Sequence, residues 1–206
     1  MKSLNSKEQG YLNHLLESTK IFKELHIPYF ITGGTLLALY RGQLIPWDLK
    51  DIDICVFYAN WDIPTRHKII AKAEKAGFYT LMVPNKMIQS VSQMRLDKGP
   101  GHTDIFVYYP KGTWTFHRWC IGKDHYIRYA EPTKYTKVLS TLTFEGHTFS
   151  IPSYTEDYLA LYYGKDWKTP KIMSSIDLEP IYKARYNDFL KGHFNEKKYL
   201  QEILKV

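Results

Sequence analysis

The strongest chemical signal in this chain is Asp51-Ile52-Asp53, at the head of the run Asp51-Ile52-Asp53-Ile54-Cys55-Val56-Phe57. Residues i and i+2 of a β-strand point to the same face, so a strand here projects two carboxylates into one site. Two like charges at the head of an otherwise apolar strand repel each other. A hard cation that prefers oxygen ligands, magnesium or manganese, is the simplest remedy. A third acid, Asp104, opens a second run of the same kind, Asp104-Ile105-Phe106-Val107-Tyr108-Tyr109. If the two strands are neighbours, three carboxylates converge on a pair of ions, one activating an attacking oxygen and the other steadying a donor phosphate and its leaving group. Upstream, Gly33-Gly34-Thr35 offers a backbone free of Cβ atoms beside a helix N-terminus, an arrangement that receives phosphate oxygens. Asp51, Asp53 and Asp104 are therefore the candidate catalytic and metal residues, and Gly33, Gly34 and Thr35 the candidate phosphate-side turn.

These groups need particular elements to position them, and the apolar patterning supplies them. Leu12, Leu15, Leu16, Thr19, Phe22 and Lys23 recur at helical spacing over residues 7–26, with Asn5 or Ser6 as the cap and Pro28 closing the segment. A short β-prone run at 29–32 enters Gly33-Gly34 and leaves as a helical turn through 35–40. Residues 51–57 form the second strand. Residues 64–76 read as a helix with Ile69, Ile70 and Ala73 inward, stopped by Gly77, and 78–83 as a strand. Residues 90–96 and 103–109 then pair across Lys98-Gly99-Pro100-Gly101. A hairpin around Glu145-Gly146 spans 141–151, and the chain is mostly helical from Thr155 onward. Helix, strand, Gly-Gly, helix, acidic strand and later acidic strand follow the plan of the nucleotidyltransferase fold. The expected class is α/β (α+β), a mixed sheet flanked by helices with a helical C-terminal part. One catalytic domain over 1–206 is expected, with 152–206 as a helical subregion.

The residues also carry a family likeness. Gly33-Gly34-Thr35-Leu36-Leu37 through Arg41, Ile45-Pro46-Trp47-Asp48 and Asp51-Ile52-Asp53-Ile54 together resemble the LicD family of phosphocholine transferases and fukutin-related glycan-modifying enzymes. Asp104-Ile105-Phe106 resembles the family's later acidic strand, and Ile151-Pro152-Ser153 through Tyr163-Gly164-Lys165-Asp166-Trp167 its C-terminal signature. The resemblance implies magnesium dependence and transfer of a phosphorylated alcohol, phosphocholine or a polyol phosphate, from a CDP-linked donor to a glycan hydroxyl. It assigns Asp51 and Asp53 to the metal pair, Asp104 to the third acid, and Gly33, Gly34 and Thr35 to the phosphate side. Arg41, whose planar fork matches phosphate oxygens, joins them as a candidate for the donor. The chain departs from the pattern at Leu49-Lys50, which separate Asp48 from the acidic triplet; Asp48 is therefore expected away from the metal. Two other readings use the same residues. One is transfer of a nucleotide from an NTP to a small molecule, protein or tRNA; the other is a non-catalytic nucleotide- or RNA-binding module. A nucleic-acid partner is the less favoured.

Bulk composition sets limits without choosing a substrate. A net charge of +7, from 28 basic against 21 acidic residues, favours anionic partners. No apolar run approaches the ~20 residues of a membrane span, and MKSLNSKEQG lacks the apolar core of a signal peptide. A cytoplasmic location is expected, with peripheral membrane attachment as the second option. Cys55 and Cys120 are too few for a disulfide framework or a cysteine-based zinc site and read as buried thiols. His102 reads first as a loop residue after Gly101, and second as a phosphate ligand or proton relay two residues before Asp104. Tyr162 to Trp167 could close over a base or an acceptor, although Gly164 also makes an ordinary helix stop. Lys171, Lys183, Arg185, Lys191, Lys197, Lys198 and Lys205 read as the solvated face of C-terminal helices.

Overall fold

The computed structural model describes residues 4–44, 51–85, 90–121 and 125–171, with scattered positions between Leu178 and Lys191. The segment 45–50, with Asp48 and Lys50, lies outside the described residues, as do Arg185, Lys197, Lys198 and Lys205.

Helix α1, Ser6–Glu24, starts at Asn5, whose side chain accepts the N–H groups of Lys7 and Glu8 while the Glu8 carboxylate takes the Asn5 N–H. Two otherwise orphaned donors are satisfied reciprocally, which settles the cap on Asn5 rather than Ser6. Strand β1, Tyr29–Ile31, is wholly buried and runs through Thr32 into helix α2, Gly33–Tyr40. Strand β2 is Asp51–Phe57, and helix α3, Ile63–Lys75, is capped by Asp62 accepting the Thr65 N–H at 2.7 Å. Strands β3 (Tyr79–Asn85), β4 (Ser90–Lys98) and β5 (Gly101–Lys111) follow. Next come β6 (Trp114–Ile121), β7 (His125–Pro132), β8 (Leu139–Phe144), β9 (His147–Pro152) and helix α4 (Thr155–Tyr163), which ends at Gly164 with φ 89°.

The main sheet runs β1-β2-β5-β4-β3, and β6 and β7 extend it antiparallel from the far end of β5. β2 and β5 are parallel, whereas the other neighbouring strands are antiparallel. The mixed sheet with flanking helices is the expected class. Its back face carries Ile52, Ile54, Met94, Leu96, Ile105 and Val107 into one core with Leu15 and Phe22 of α1 and Ile69 and Ala73 of α3. Ser18 Oγ lies 2.7 Å and His14 Nε2 3.2 Å from Thr103 Oγ1, pinning α1 to the back of β5. The front face turns from carboxylates to a second apolar group, Phe30, Cys55, Phe106 and Tyr108.

Two local expectations shift, and the hairpin expected at Glu145-Gly146 forms there. β5 begins at Gly101, so His102 is a strand residue rather than a loop residue. The hairpin β6–β7 occupies a stretch for which the sequence patterning predicted no element. The β8–β9 turn puts Glu145 and Gly146 both at positive φ (46° and 76°), as a type I′ hairpin requires. Cys55 is fully buried, as expected; the Cys120 side chain is outside the described residues. Helical positions recur from Leu178 to Phe189, with Leu178, Tyr182, Tyr186 and Phe189 buried at helical spacing. Among the described residues no helix is long and apolar enough to cross a membrane.

Candidate functional site

The parallel pairing of β2 with β5 fixes which side chains meet. Its register sets Asp51 opposite His102 and Asp53 opposite Asp104. Since i and i+2 share a face, all four project from the front of the sheet as two facing pairs. Asp51, His102 and Asp104 each offer a ligand atom, and these atoms lie within 4.8 Å of one another. His102 Nε2 is 3.7 Å from Asp104 Oδ2.

Asp104 is 6% exposed, and its Oδ1 accepts a hydrogen bond from Gln93 Nε2 at 3.0 Å. Burial lifts its carboxyl above the usual carboxylate range; Gln93 and His102 oppose that, and Asp51 adds to it. Burial likewise drives the Asp53 carboxyl well up, with Asp51 and Asp104 reinforcing it and the Gly34 N–H opposing. The two causes are those expected of crowded carboxylates on a drying surface. Such a group suits a divalent cation, whose charge would remove the repulsion, and Asp51, His102 and Asp104 are placed to hold one.

The Gly-Gly-Thr turn is fitted to Asp53. A Cβ on Gly33 would stand 2.3 Å from Asp53 Oδ2, and Gly33 has φ +55°, a conformation that L side chains rarely adopt. The Gly34 N–H donates to Asp53 Oδ2 at 2.9 Å. Behind them, Thr35 Oγ1 accepts the Asp53 N–H at 2.9 Å and the Thr32 N–H donates to the Asp53 carbonyl at 3.1 Å. Tyr11 completes the lock by donating its hydroxyl to the Asp51 carbonyl at 2.8 Å. The sequence offered these residues to phosphate; the structure shows Gly33 making room for a carboxylate and Thr35 holding the strand that bears it.

Thr32 stands at the N-cap of α2 without capping it, because its hydroxyl lies 2.6 Å from that of Tyr158. From Tyr158 a chain of buried hydroxyls runs to Tyr108 (3.1 Å) and Tyr162 (3.2 Å), which donates to the fully buried Glu131. His117 is stacked between Tyr108 and Tyr129, with centroids 4.4 and 4.5 Å away.

Arg41 caps the other end of α2. Its Nη2 donates to the carbonyls of Trp167 and of Thr169, the latter at 3.2 Å, while the Trp167 ring packs 5.8 Å from that of Tyr40. The guanidinium is thus engaged with the segment after Gly164. Tyr163, beside that junction, has its hydroxyl pushed well above the usual tyrosine range by burial, with Tyr182 and Asp53 adding to the shift and Arg41 opposing it.

The sequence underrated three further residues. His102 has the same i, i+2 relation to Asp104 as Asp51 to Asp53, a signal that the flanking glycine hid. Gln93 and Arg95 alternate with buried Met94 and Leu96, which predicts a shared front face; Arg95 stands across from Asp104 in the β4–β5 register and binds Asp97 Oδ1 through Nε at 2.6 Å.

Residues 26–154 match the family described as LicD/FKTN/FKRP, nucleotidyltransferase domain. The chain is similar to the ribitol-5-phosphate transferase FKTN of Mus musculus, 29% identical over 157 residues, which is 74% of this chain and 32% of that protein. The Homo sapiens and Macaca fascicularis proteins of the same name are 27% and 28% identical over the same shares. The chain therefore spans about a third of the length of these curated relatives. The antibiotic-resistance factor ANT(2'')-Ia aligns with it at a TM-score of 0.49 and 14% identity, covering 96% of this chain and 92% of that one; in complex with adenylyl-2''-tobramycin the TM-score is 0.44, with 94% and 95% covered.

Proposed function

Because this chain belongs to the LicD/FKTN/FKRP family of nucleotidyltransferase domains, we propose that it is a divalent-metal-dependent phosphotransferase. It moves a phosphorylated alcohol from a CDP-linked donor to a glycan hydroxyl. The observation that carries this reading is the convergence of Asp51, Asp53, His102 and Asp104 on one sheet face, with the Gly33-Gly34 turn set against Asp53. The name of the relatives favours ribitol 5-phosphate, a polyol phosphate, as the transferred group over phosphocholine.

A divalent ion held by the aspartates would neutralise the donor phosphates and draw charge off the leaving group, the part that such ions play in phosphoryl transfer. The chain's own residues do the rest. Asp104 takes the proton of the acceptor hydroxyl, a task that suits a carboxyl whose proton affinity burial has raised. The hydroxyl oxygen forms a bond to the phosphorus nearest the transferred alcohol, the bridging P–O bond breaks, and CMP departs with that oxygen. Gly34 and Thr35 hold Asp53 in place throughout, and Arg95, at the edge of the face, supplies positive charge near the phosphates.

Calorimetric titration of CDP-ribitol, CDP-glycerol, CDP-choline, CTP and ATP, with and without magnesium or manganese, tests this. The expected outcome is metal-dependent binding of a CDP-polyol that the double variant Asp51→Asn/Asp53→Asn loses. Binding of NTPs alone would replace the reading by nucleotidyl transfer, and metal-independent binding of every nucleotide would leave only a binding module.

A further inference from the structure

We propose that His102 is a metal ligand, so that the ion site is a mixed nitrogen–oxygen set of Asp51, His102 and Asp104 that selects manganese over magnesium. The inference rests on the metal-dependent reading above and says which ion the site is built for. Its basis is geometric. The parallel register sets His102 directly opposite Asp51, and the strand period sets it on the same face as Asp104. The three ligand atoms already lie within 4.8 Å of one another, with His102 Nε2 3.7 Å from Asp104 Oδ2. Around an octahedral ion with bonds of about 2.1 Å, neighbouring ligand atoms are roughly 3 Å apart and opposite ones about 4.2 Å, so small side-chain rotations close the shell.

Asp53 stands beside this trio on the same face. Its Oδ2 accepts the Gly34 N–H, the Thr35 N–H also holds its carboxyl, and the carboxylate rests where a Gly33 Cβ would be. The work of the acidic triplet is thereby divided: Asp51 joins the ion with two residues of β5, and Asp53 ties that ion's neighbourhood to the turn at the start of α2. An imidazole is the decisive member. Magnesium takes hard oxygen ligands and sheds water reluctantly, while nitrogen donors favour first-row transition ions, whose affinities for such sites exceed that of magnesium.

The test uses the full chain without nucleotide. Manganese and magnesium are titrated calorimetrically into the wild type, His102→Ala and His102→Asp, and the manganese-loaded wild type is examined by pulsed EPR for modulation from a coordinated imidazole nitrogen. Expected are nitrogen modulation in the wild type and a manganese-over-magnesium preference that falls about tenfold in His102→Ala, a loss of the size that even outer-shell partners can produce. His102→Asp should shift the preference toward magnesium by making the set all-oxygen. Manganese binding without nitrogen modulation, at a preference unchanged by either variant, overturns the proposal and leaves the aspartate-based function standing. A wild type that binds neither ion overturns both. If a variant fails to fold, the wild-type spectrum alone decides.

Discussion

Gly33 and Asp53 form the tightest residue-scale match in the molecule, and they give the sharpest stability test. An alanine at 33 adds a Cβ at 2.3 Å from Asp53 Oδ2 and must adopt a φ of +55°. Left-handed backbone in a non-glycine residue costs about 1–3 kcal/mol, and the clash is resolved only if the Asp53 carboxylate leaves the Gly34 N–H. Gly33→Ala is expected to lower the unfolding free energy obtained from urea titration by that amount and to reduce turnover at least as far as it reduces donor affinity; unchanged turnover would mean that Asp53 has no fixed place in the reaction. Gly33 and Asp53 were each legible as candidates, because each carries its own local signal. Their fit was not, since 19 residues separate Gly34 from Asp53 and nothing in either run names the other as partner. His102 was misread for a related reason: two glycines and a proline at 99–101 signal a turn, and only the paired strand shows that the turn has ended by Gly101.

At the scale of elements, α2 is an uncapped helix by construction. Its N-cap hydroxyl, on Thr32, is drawn into the buried chain through Tyr158, which leaves the first N–H groups of the helix to Asp53 and to whatever binds in front of them. Tyr158→Phe removes the hydroxyl that diverts Thr32. The variant takes the partner from the buried Thr32 hydroxyl, which costs about 1–3 kcal/mol, while Tyr108 keeps Tyr162, and it lets the threonine turn to its own helix in competition with Asp53 for the Gly34 N–H. Donor affinity is therefore expected to fall along with the denaturation midpoint, and adding Thr32→Val, which removes the competing cap, should restore the affinity but not the stability. A purely structural role for Tyr158 predicts no such rescue. Most elements of this kind could be read from apolar period and turn chemistry: α1, β2, α3, the β4–β5 pair and the β8–β9 hairpin all show them. In the β6–β7 hairpin the polar members of Trp114-Thr115-Phe116-His117 are buried like the apolar ones, Thr115 against the Glu131 carbonyl and His117 between Tyr108 and Tyr129, so alternation there marks no solvent face.

For the whole molecule, the decisive contacts join parts of the chain that no local pattern relates. β2 and β5 become neighbours only after α3, β3 and β4 have been threaded between them, so the meeting of Asp51 with His102 belongs to topology rather than to sequence. The same holds for Arg41, whose reach over 126 residues to the Trp167 carbonyl fastens the segment after α4 to the end of α2. That segment carries Lys165, Lys168 and Lys171, all exposed, and two of them are paired with Glu156 and Asp166. Exposed pairs of this sort hold little, which leaves Arg41 and the Trp167 ring as the anchors. Arg41→Lys keeps the charge but loses the planar fork that serves two carbonyls at once. With roughly 1.5 kcal/mol of hydrogen bonding gone, the segment should open about tenfold more often, and limited trypsin digestion after Lys165, Lys168 and Lys171 should accelerate accordingly. Arg41→Ala should accelerate it at least as much. If digestion is unchanged in both while donor affinity falls in Arg41→Ala and is kept by Arg41→Lys, Arg41 acts through its charge on the donor phosphate, and the tie to Trp167 is incidental to the closed structure.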